Sequence, residues 1–419
     1  MARKQSPEPE KNAHVGDAIV PIGDAVRLSE VAGRLAQQPI VAFDTEFIRE
    51  KTYYPKLGLI QVADREQSWL IDPLLLSAED IQPLLRVFTD PAIIKVAHSS
   101  EQDQSCLYYD YGIVASPVLD TSIAAALTGF GDQIGLAALL KKLLGVNLPK
   151  AHTRSDWLRR PLPQAMASYA LLDVEHLVEA AEMILADLDR RNRRDWAMEL
   201  SAQFADPARY EPNPDAIAHR LASNGNLNPQ QYAVLRSLTG WRESRACKSN
   251  VPRKWLADDQ VLVKLALASP SKLEDLSLFR GLRIKADGRI GEEMMNAISE
   301  GRETRAEELV QPPKRPHKAT EEGPALSVLK CFLALAAQEQ KVAPRFLIDA
   351  VTMAELLRNR KGFPNVVALR ESKLLSDGVI DLIGEEMVAV LNGELGLRLS
   401  NGRVERCAPG NGLAPSPEH

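Results

Sequence analysis

An apolar, β-rich run, Ile40-Val41-Ala42-Phe43, ends in Asp44-Thr45-Glu46, and that junction constrains the fold more than any other feature of the chain. Side chains alternate across a strand, so continuing the strand sends Asp44 and Glu46 to one face. Two carboxylates on one face repel each other, and half-burying them is costly unless a cation neutralises the pair. The triplet alone carries little information, because Asp64-Arg65-Glu66 and Asp173-Val174-Glu175 match it too. Its position at the end of an apolar run sets Asp44 apart.

The surrounding pattern is α/β. Residues 57–63 and 68–72 read as two further strands joined by a polar turn, which with the first predicts a meander. Helical spacing at 80–88, an apolar strand at 93–97, a helix over 103–111 and a short strand at Val118-Leu119-Asp120 follow. From there the chain is mostly helical, and a charged amphipathic stretch from about 163 to 203 is expected to close the first domain.

A length of 419 residues exceeds one ordinary core and predicts two or three domains. Residues 1–17 read as a disordered polar tail, 18–205 as the α/β domain, 206–225 as a linker and 226–305 as a small helical domain. A second linker over 306–322, a second helical domain over 323–403 and a Gly- and Pro-rich disordered tail over 404–419 complete the plan. The sequence carries no signal-peptide pattern and no apolar stretch of spanning length, so neither secretion nor membrane insertion is expected. Four cysteines lie far apart without a Cys-x-x-Cys pair, which argues against a disulfide framework or zinc site and fits a cytosolic protein. The net charge of −5 and pI near 5.9 mean that any nucleic-acid role needs segregated positive charge.

Two more sites carry chemistry-bearing residues. Asp103 follows the strand through Val96 and begins a helix, where the helix dipole alone would favour a carboxylate. Tyr169 and Asp173, in the chain's single Tyr-x-x-x-Asp, share one helix face. Taken singly, a structural tyrosine beside a surface aspartate explains that spacing as well. The combination is what matters.

The ordered set Asp44-x-Glu46, Asp103 behind His98-Ser99-Ser100-Glu101-Gln102, and Tyr169-x-x-x-Asp173 resembles the three motifs of the DEDD exonucleases, tyrosine subtype. The stretches IVAFDTEFIREKTYYPKLGLIQVA, VLDTSIAAAL and RSDWLRRPLPQAMASYALLDVEHL further resemble the ribonuclease D family, over roughly residues 20–200. The resemblance implies a ribonuclease-H-like fold, a mixed sheet flanked by helices, with the four acids meeting at one end of the sheet. It also implies 3′-to-5′ exoribonuclease activity releasing 5′-mononucleotides from RNA, tRNA precursors foremost, with no obligate protein partner indicated. An all-carboxylate set suits two Mg²⁺ or Mn²⁺ ions rather than zinc. By motif, Asp44 would bridge both ions, Glu46 and Asp173 would hold the one that activates water, and Asp103 would help hold the other. Tyr169, too weak a base at neutral pH, would orient the attacking water, and His98 reads as structural.

LNPQQYAVLRSLTGWRESRACKSNVPRKWLADDQVLVKLA resembles a helicase-and-RNase-D C-terminal (HRDC) domain, a small all-α module that helps bind nucleic acid. The segment over 323–403 resembles a second copy more weakly. Between Arg236 and Arg289 twelve basic residues face six acidic ones, so Arg242, Arg245, Lys248, Arg253 and Lys254 are candidates for phosphate contact, although a dispersed, solvated pattern explains the excess as simply. Arg154 and Arg159 are further candidates. Near them, Ser155 or Asp156 would equally cap a helix starting at Trp157. Trp241 and Trp255 are expected in the core. Two rival readings are a DNA exonuclease with the same site and a non-catalytic RNA-binding protein on the same scaffold.

Overall fold

The computed structural model describes residues 18–149, 155–223, 226–282, 288–313 and 323–408. The expected tail over 1–17, Arg154 and most of the second linker fall outside these.

The first domain runs α1 (Ala25–Leu35), β1 (Ile40–Ile48), β2 (Lys56–Ala63), β3 (Ser68–Ile71), α2 (Gln82–Thr89), β4 (Ile94–Ala97), α3 (Glu101–Tyr111), β5 (Val118–Asp120), α4 (Thr121–Ala126), α5 (Leu136–Leu144), α6 (Gln164–Glu175), α7 (Leu177–Arg190) and α8 (Arg194–Ala202). The strands form one mixed sheet in the order β3-β2-β1-β4-β5. The meander supplies the antiparallel pairs β1–β2 and β2–β3, and β4 and β5 add in parallel to β1. Alternation along β1 sorts its residues between two cores. Val41 and Phe43 pack with Leu28, Leu35, Leu84 and Phe88 of α1 and α2, while Ala42 packs with Val96, Leu119 and the helices of the other face. A mixed sheet flanked by helices, as the ribonuclease-H-like reading required, is the architecture.

The amphipathic stretch from 163 to 203 folds as three helices, α6, α7 and α8. The chain bends at His176, where φ is −109° and ψ 2°, and again before α8, where Asn192 is left-handed with φ 54°. The breaks let α6 cross the sheet over β1, β2 and β3, while α7 and α8 cover β1, β4 and β5.

Residues 206–225 are not simply a linker. They contain α9 (Pro214–Ala222), started by the Asn213 side chain accepting from Ala216 N, with Pro214 at the first helical position. Proline is favoured there because that N–H has no intrahelical partner. Ala218, Leu221 and Ala222 are buried in the core of the first helical module, which continues through α10 (Pro229–Ser249), α11 (Arg253–Leu256), α12 (Asp259–Ala268) and α13 (Arg289–Arg302). Trp241 is half-buried against this core, but Trp255 is 44% exposed and departs from expectation.

The second module comprises α14 (Gly323–Gln340), α15 (Ala350–Arg358), α16 (Val366–Glu371), α17 (Asp377–Leu391) and a hairpin, β6 (Gly396–Ser400) with β7 (Arg403–Cys407). β7 occupies residues expected to belong to a disordered tail. Its order follows from Asn401-Gly402, both left-handed, which suit the tight turn of a two-residue hairpin, and from Arg406, which pairs with Glu339 and Glu386. This module shares one continuous apolar core with the exonuclease-like sheet. Arg193 Nη1 donates to the carbonyls of Leu127 (2.8 Å) and Gln340 (2.9 Å), and Ala343 N donates to Ala126 O (2.9 Å). Among the described residues, no helix is long and apolar enough to cross a membrane.

Candidate functional site

β1 outruns its parallel neighbour. Pairing with β4 involves only Ile40, Val41 and Ala42, whereas pairing with β2 continues to Ile48. Asp44 and Glu46 therefore lie beyond the carboxyl end of β4, on the face that α6 covers. Asp173 reaches them from α6, and one oxygen from each of Asp44, Glu46 and Asp173 lies within 4.8 Å of the others. Asp103 stands beside this trio on α3. Its Oδ1 accepts from Thr45 N (3.0 Å) and Thr45 Oγ1 (2.6 Å), and it is buried at 5% exposure.

No ion pair among the described residues neutralises any of the four. Burial, then the charges of Asp103, Asp173 and Glu46, holds the Asp44 carboxyl well above the usual carboxylate range. Burial, then Asp173 and Asp103, pushes Glu46 up to about 8. Burial raises Asp103 to about 7 against the Thr45 hydrogen bonds, and raises Asp173 to about 6 against a hydrogen bond from Tyr169. Such crowding is unfavourable until positive charge enters. The donors are all carboxylate oxygens, so the residues fit hard divalent cations such as Mg²⁺ or Mn²⁺.

Tyr169 sits one turn from Asp173 and donates to it. Burial and then the Asp173, Glu46 and Asp44 charges raise its phenol pKa further. It packs in a cluster with Leu59, Leu70 and Trp157, whose ring centroid lies 6.4 Å away. His98 bridges Thr121 Oγ1 (2.9 Å) and Ile134 O (3.0 Å) with its two ring nitrogens. Buried Asp120 accepts from the backbone of Ser99 and Ser100 and from Ser122, tying down the turn that launches α3. Thr45 and Asp120 went unmarked in the sequence because their partners are distant along the chain.

The outlying candidates divide. Arg242 is fully buried, with Nη1 on Asp259 Oδ1 (2.8 Å) and Ala257 O (3.1 Å) and Nε near Glu243 Oε1 (3.3 Å). It therefore reaches no phosphate, and its charge is spent on the module's interior. Arg245 is half-buried and pairs with Glu293. Lys248, Lys254 and Arg159 are exposed. No helix starts at Trp157: Asp156 Oδ1 accepts from Leu158 N in a turn, and α6 begins at Gln164. Arg253 lies over the Tyr53 ring at 5.6 Å and lines a crevice of about 570 Å³ between the first helical module and the sheet domain, with Phe47, Arg49, Gln102, Tyr109 and Arg209. None of the four acids lines this crevice: Phe47 and Gln102, which do, are chain neighbours of Glu46 and Asp103, and Phe47 packs on the face of the sheet opposite the one that carries Glu46. Its walls are joined by Tyr53 Oη donating to Glu243 (2.9 Å) and by Tyr53 N and Tyr54 N donating to Asn250 Oδ1 (3.0 and 3.2 Å).

Residues 19–189 match the 3′-5′ exonuclease family and residues 231–311 the HRDC domain family. The ribonuclease D of Gluconacetobacter diazotrophicus is 33% identical over 381 residues, covering 90% of this chain and 94% of the relative. That of Granulibacter bethesdensis is 34% identical over 385 residues, covering 91% and 95%. Among solved structures, Escherichia coli RNase D, an exoribonuclease involved in structured RNA processing, superposes with a TM-score of 0.75 at 25% identity, over 89% of this chain and 98% of that one. The catalytic core of RRP6 from Trypanosoma brucei shares the fold, with a TM-score of 0.52 at 20% identity over 71% and 83%. Similarity at this level along nine-tenths of the sequence, across the exonuclease domain and both helical modules, means that the chain belongs to the ribonuclease D family.

Proposed function

We propose that this 3′-to-5′ exoribonuclease removes single 5′-mononucleotides from RNA ends at the acid cluster, with two Mg²⁺ or Mn²⁺ ions held by Asp44, Glu46, Asp103 and Asp173. The observation that carries this reading is the convergence of Asp44, Glu46 and Asp173 without a counter-charge. When bound, paired divalent ions lower the pKa of water and offset the charge that develops on the attacking and leaving oxygens.

The chain's own residues supply orientation. Thr45 fixes one oxygen of Asp103 and so aims the other. The Tyr169 phenol, with its pKa raised above that of free tyrosine, holds its proton at neutral pH and acts as a donor rather than a base. It orients the attacking water beside Asp173. The crevice between the two domains presents Arg49, Arg209 and Arg253 beside Glu101, Glu211 and Glu243, with Arg209 paired to Glu101 and Arg253 to Glu243, and we take it as the candidate path for a phosphate backbone. Trimming of tRNA precursors and other structured small RNAs is the substrate class we favour, by likeness to the E. coli enzyme, which acts in structured RNA processing.

The decisive variant is Asp44→Asn. It is expected to abolish divalent-metal-dependent release of mononucleotides while RNA binding, measured in Ca²⁺, stays within a few-fold of wild type. Unchanged turnover would overturn the site. Equal-length RNA and DNA oligomers, and 3′-extended tRNA against unstructured RNA with and without chelator, test substrate class. Equal rates on DNA would favour the deoxyribonuclease reading.

A further inference from the structure

Gln61 is the one strongly polar residue in β2 after Lys56. It is 0% exposed, and neither its Oε1 nor its Nε2 has a hydrogen-bond partner. Burying both ends of a carboxamide unpaired is among the costlier things a core can do, and methionine would fill the same space without that cost. The register explains where the amide lies. Gln61 is directly opposite Asp44 in the antiparallel β1–β2 pair, so the two side chains share a face. On that face its strand neighbours Leu59 and Leu70 pack with Ala170 and Leu171 of α6, which offer no hydrogen bonds. Beneath α6 the site acids Asp44, Glu46 and Asp173 meet the Tyr169 phenol.

We propose that Gln61 is a positioning residue of the metal centre, donating through Nε2 to a carboxylate oxygen of Asp44 in the metal-loaded protein and thereby selecting which oxygens face the cations. The inference rests on the metal-site reading above. Hydrogen bonds that orient a metal ligand typically contribute about 10- to 100-fold to metal affinity.

The test uses the full chain with Gln61→Met, which keeps length and volume but removes both polar atoms, and Gln61→Asn, which keeps the amide but withdraws it by one methylene. Mn²⁺ binding is followed by the loss of the free-ion electron paramagnetic resonance signal, alongside metal-free thermal unfolding and steady-state kinetics. The expected result for Gln61→Met is a metal-free Tm equal to or above wild type, Mn²⁺ affinity weakened by about 10-fold, and a fall in kcat with KM unchanged; Gln61→Asn is expected to weaken Mn²⁺ binding also. A folded Gln61→Met that binds Mn²⁺ as wild type does would overturn the proposal. So would unfolding of both variants before metal is added, which would assign the amide to the fold. Asp44→Asn, run in parallel, separates the two levels: wild-type Mn²⁺ binding in that variant sinks the metal-site reading itself, whereas lost binding there with normal binding in Gln61→Met sinks only the role of Gln61.

Discussion

At the scale of single residues, the site is built from charges that the fold alone does not tolerate well. Burial pushes Glu46, Asp103 and Asp173 up to about 8, 7 and 6, and it holds Asp44 well above the usual carboxylate range as well. Each folded-state pKa exceeds the unfolded value of about 4, so the folded state holds more protons across that interval. The stability this confers is complete below about pH 4 and is lost as pH rises through the folded values. The metal-free protein should therefore show a Tm that declines from pH 5 to pH 8.5, and Mn²⁺ should raise Tm more at pH 8 than at pH 6, because binding releases protons at the lower pH. Calorimetry with chelator and with excess metal checks this; a metal-free Tm that rises over that range would contradict the shared burial of the acids. Tyr169→Phe isolates the other role, with an expected fall in kcat of about 10- to 100-fold at unchanged KM and unchanged Mn²⁺ affinity. A rise in KM alone would instead make the phenol a substrate contact.

At the scale of elements, what was legible in the sequence was what is local. The shared face of Asp44 and Glu46 follows from strand alternation, and the Tyr169–Asp173 pairing from one helical turn, so both could be read within a few residues. Thr45 could not, because its hydroxyl is given meaning only by Asp103 on α3. Residues 206–225 were read as a linker although Pro214 opens α9, since a proline's effect depends on whether it falls at the first helical position or within the helix. Arg242 was counted as surface charge because a local excess of basic residues says nothing of Asp259 and Glu243, which absorb its guanidinium. The docking of the second module was equally hidden. There α17 approaches α8 so closely that a Cβ on Gly378 would lie 2.4 Å from Cγ of Trp196. Gly378→Ala should therefore force the helices apart and destabilise the protein by about 1–3 kcal/mol, read as a lower denaturation midpoint and faster proteolysis within residues 323–408. An unchanged midpoint would mean that the Trp196 ring gives way freely.

At the scale of the whole molecule, the proposed catalytic residues lie on one domain, and the crevice proposed to take the RNA is shared between two. All five residues assigned to the chemistry belong to the sheet domain, while the crevice between the domains takes one wall from the first helical module. That wall is held by a small number of polar contacts, among them Asn250 at the end of α10, whose Oδ1 accepts two backbone N–H groups from Tyr53 and Tyr54. Asn250 is left-handed, with φ 46°, so glycine at this position keeps the backbone conformation while removing the carboxamide. Asn250→Gly should leave kcat on a short oligomer, which engages the acid cluster alone, at the wild-type value. On RNA long enough to run through the crevice, loosening the wall should raise KM several-fold and reduce the salt dependence of binding, because fewer phosphates are then neutralised together. Steady-state kinetics on short and long RNA at two ionic strengths distinguishes the outcomes: an equal loss on both substrates would mean that the contact supports the catalytic residues themselves, and no loss on either would place the RNA elsewhere on the surface.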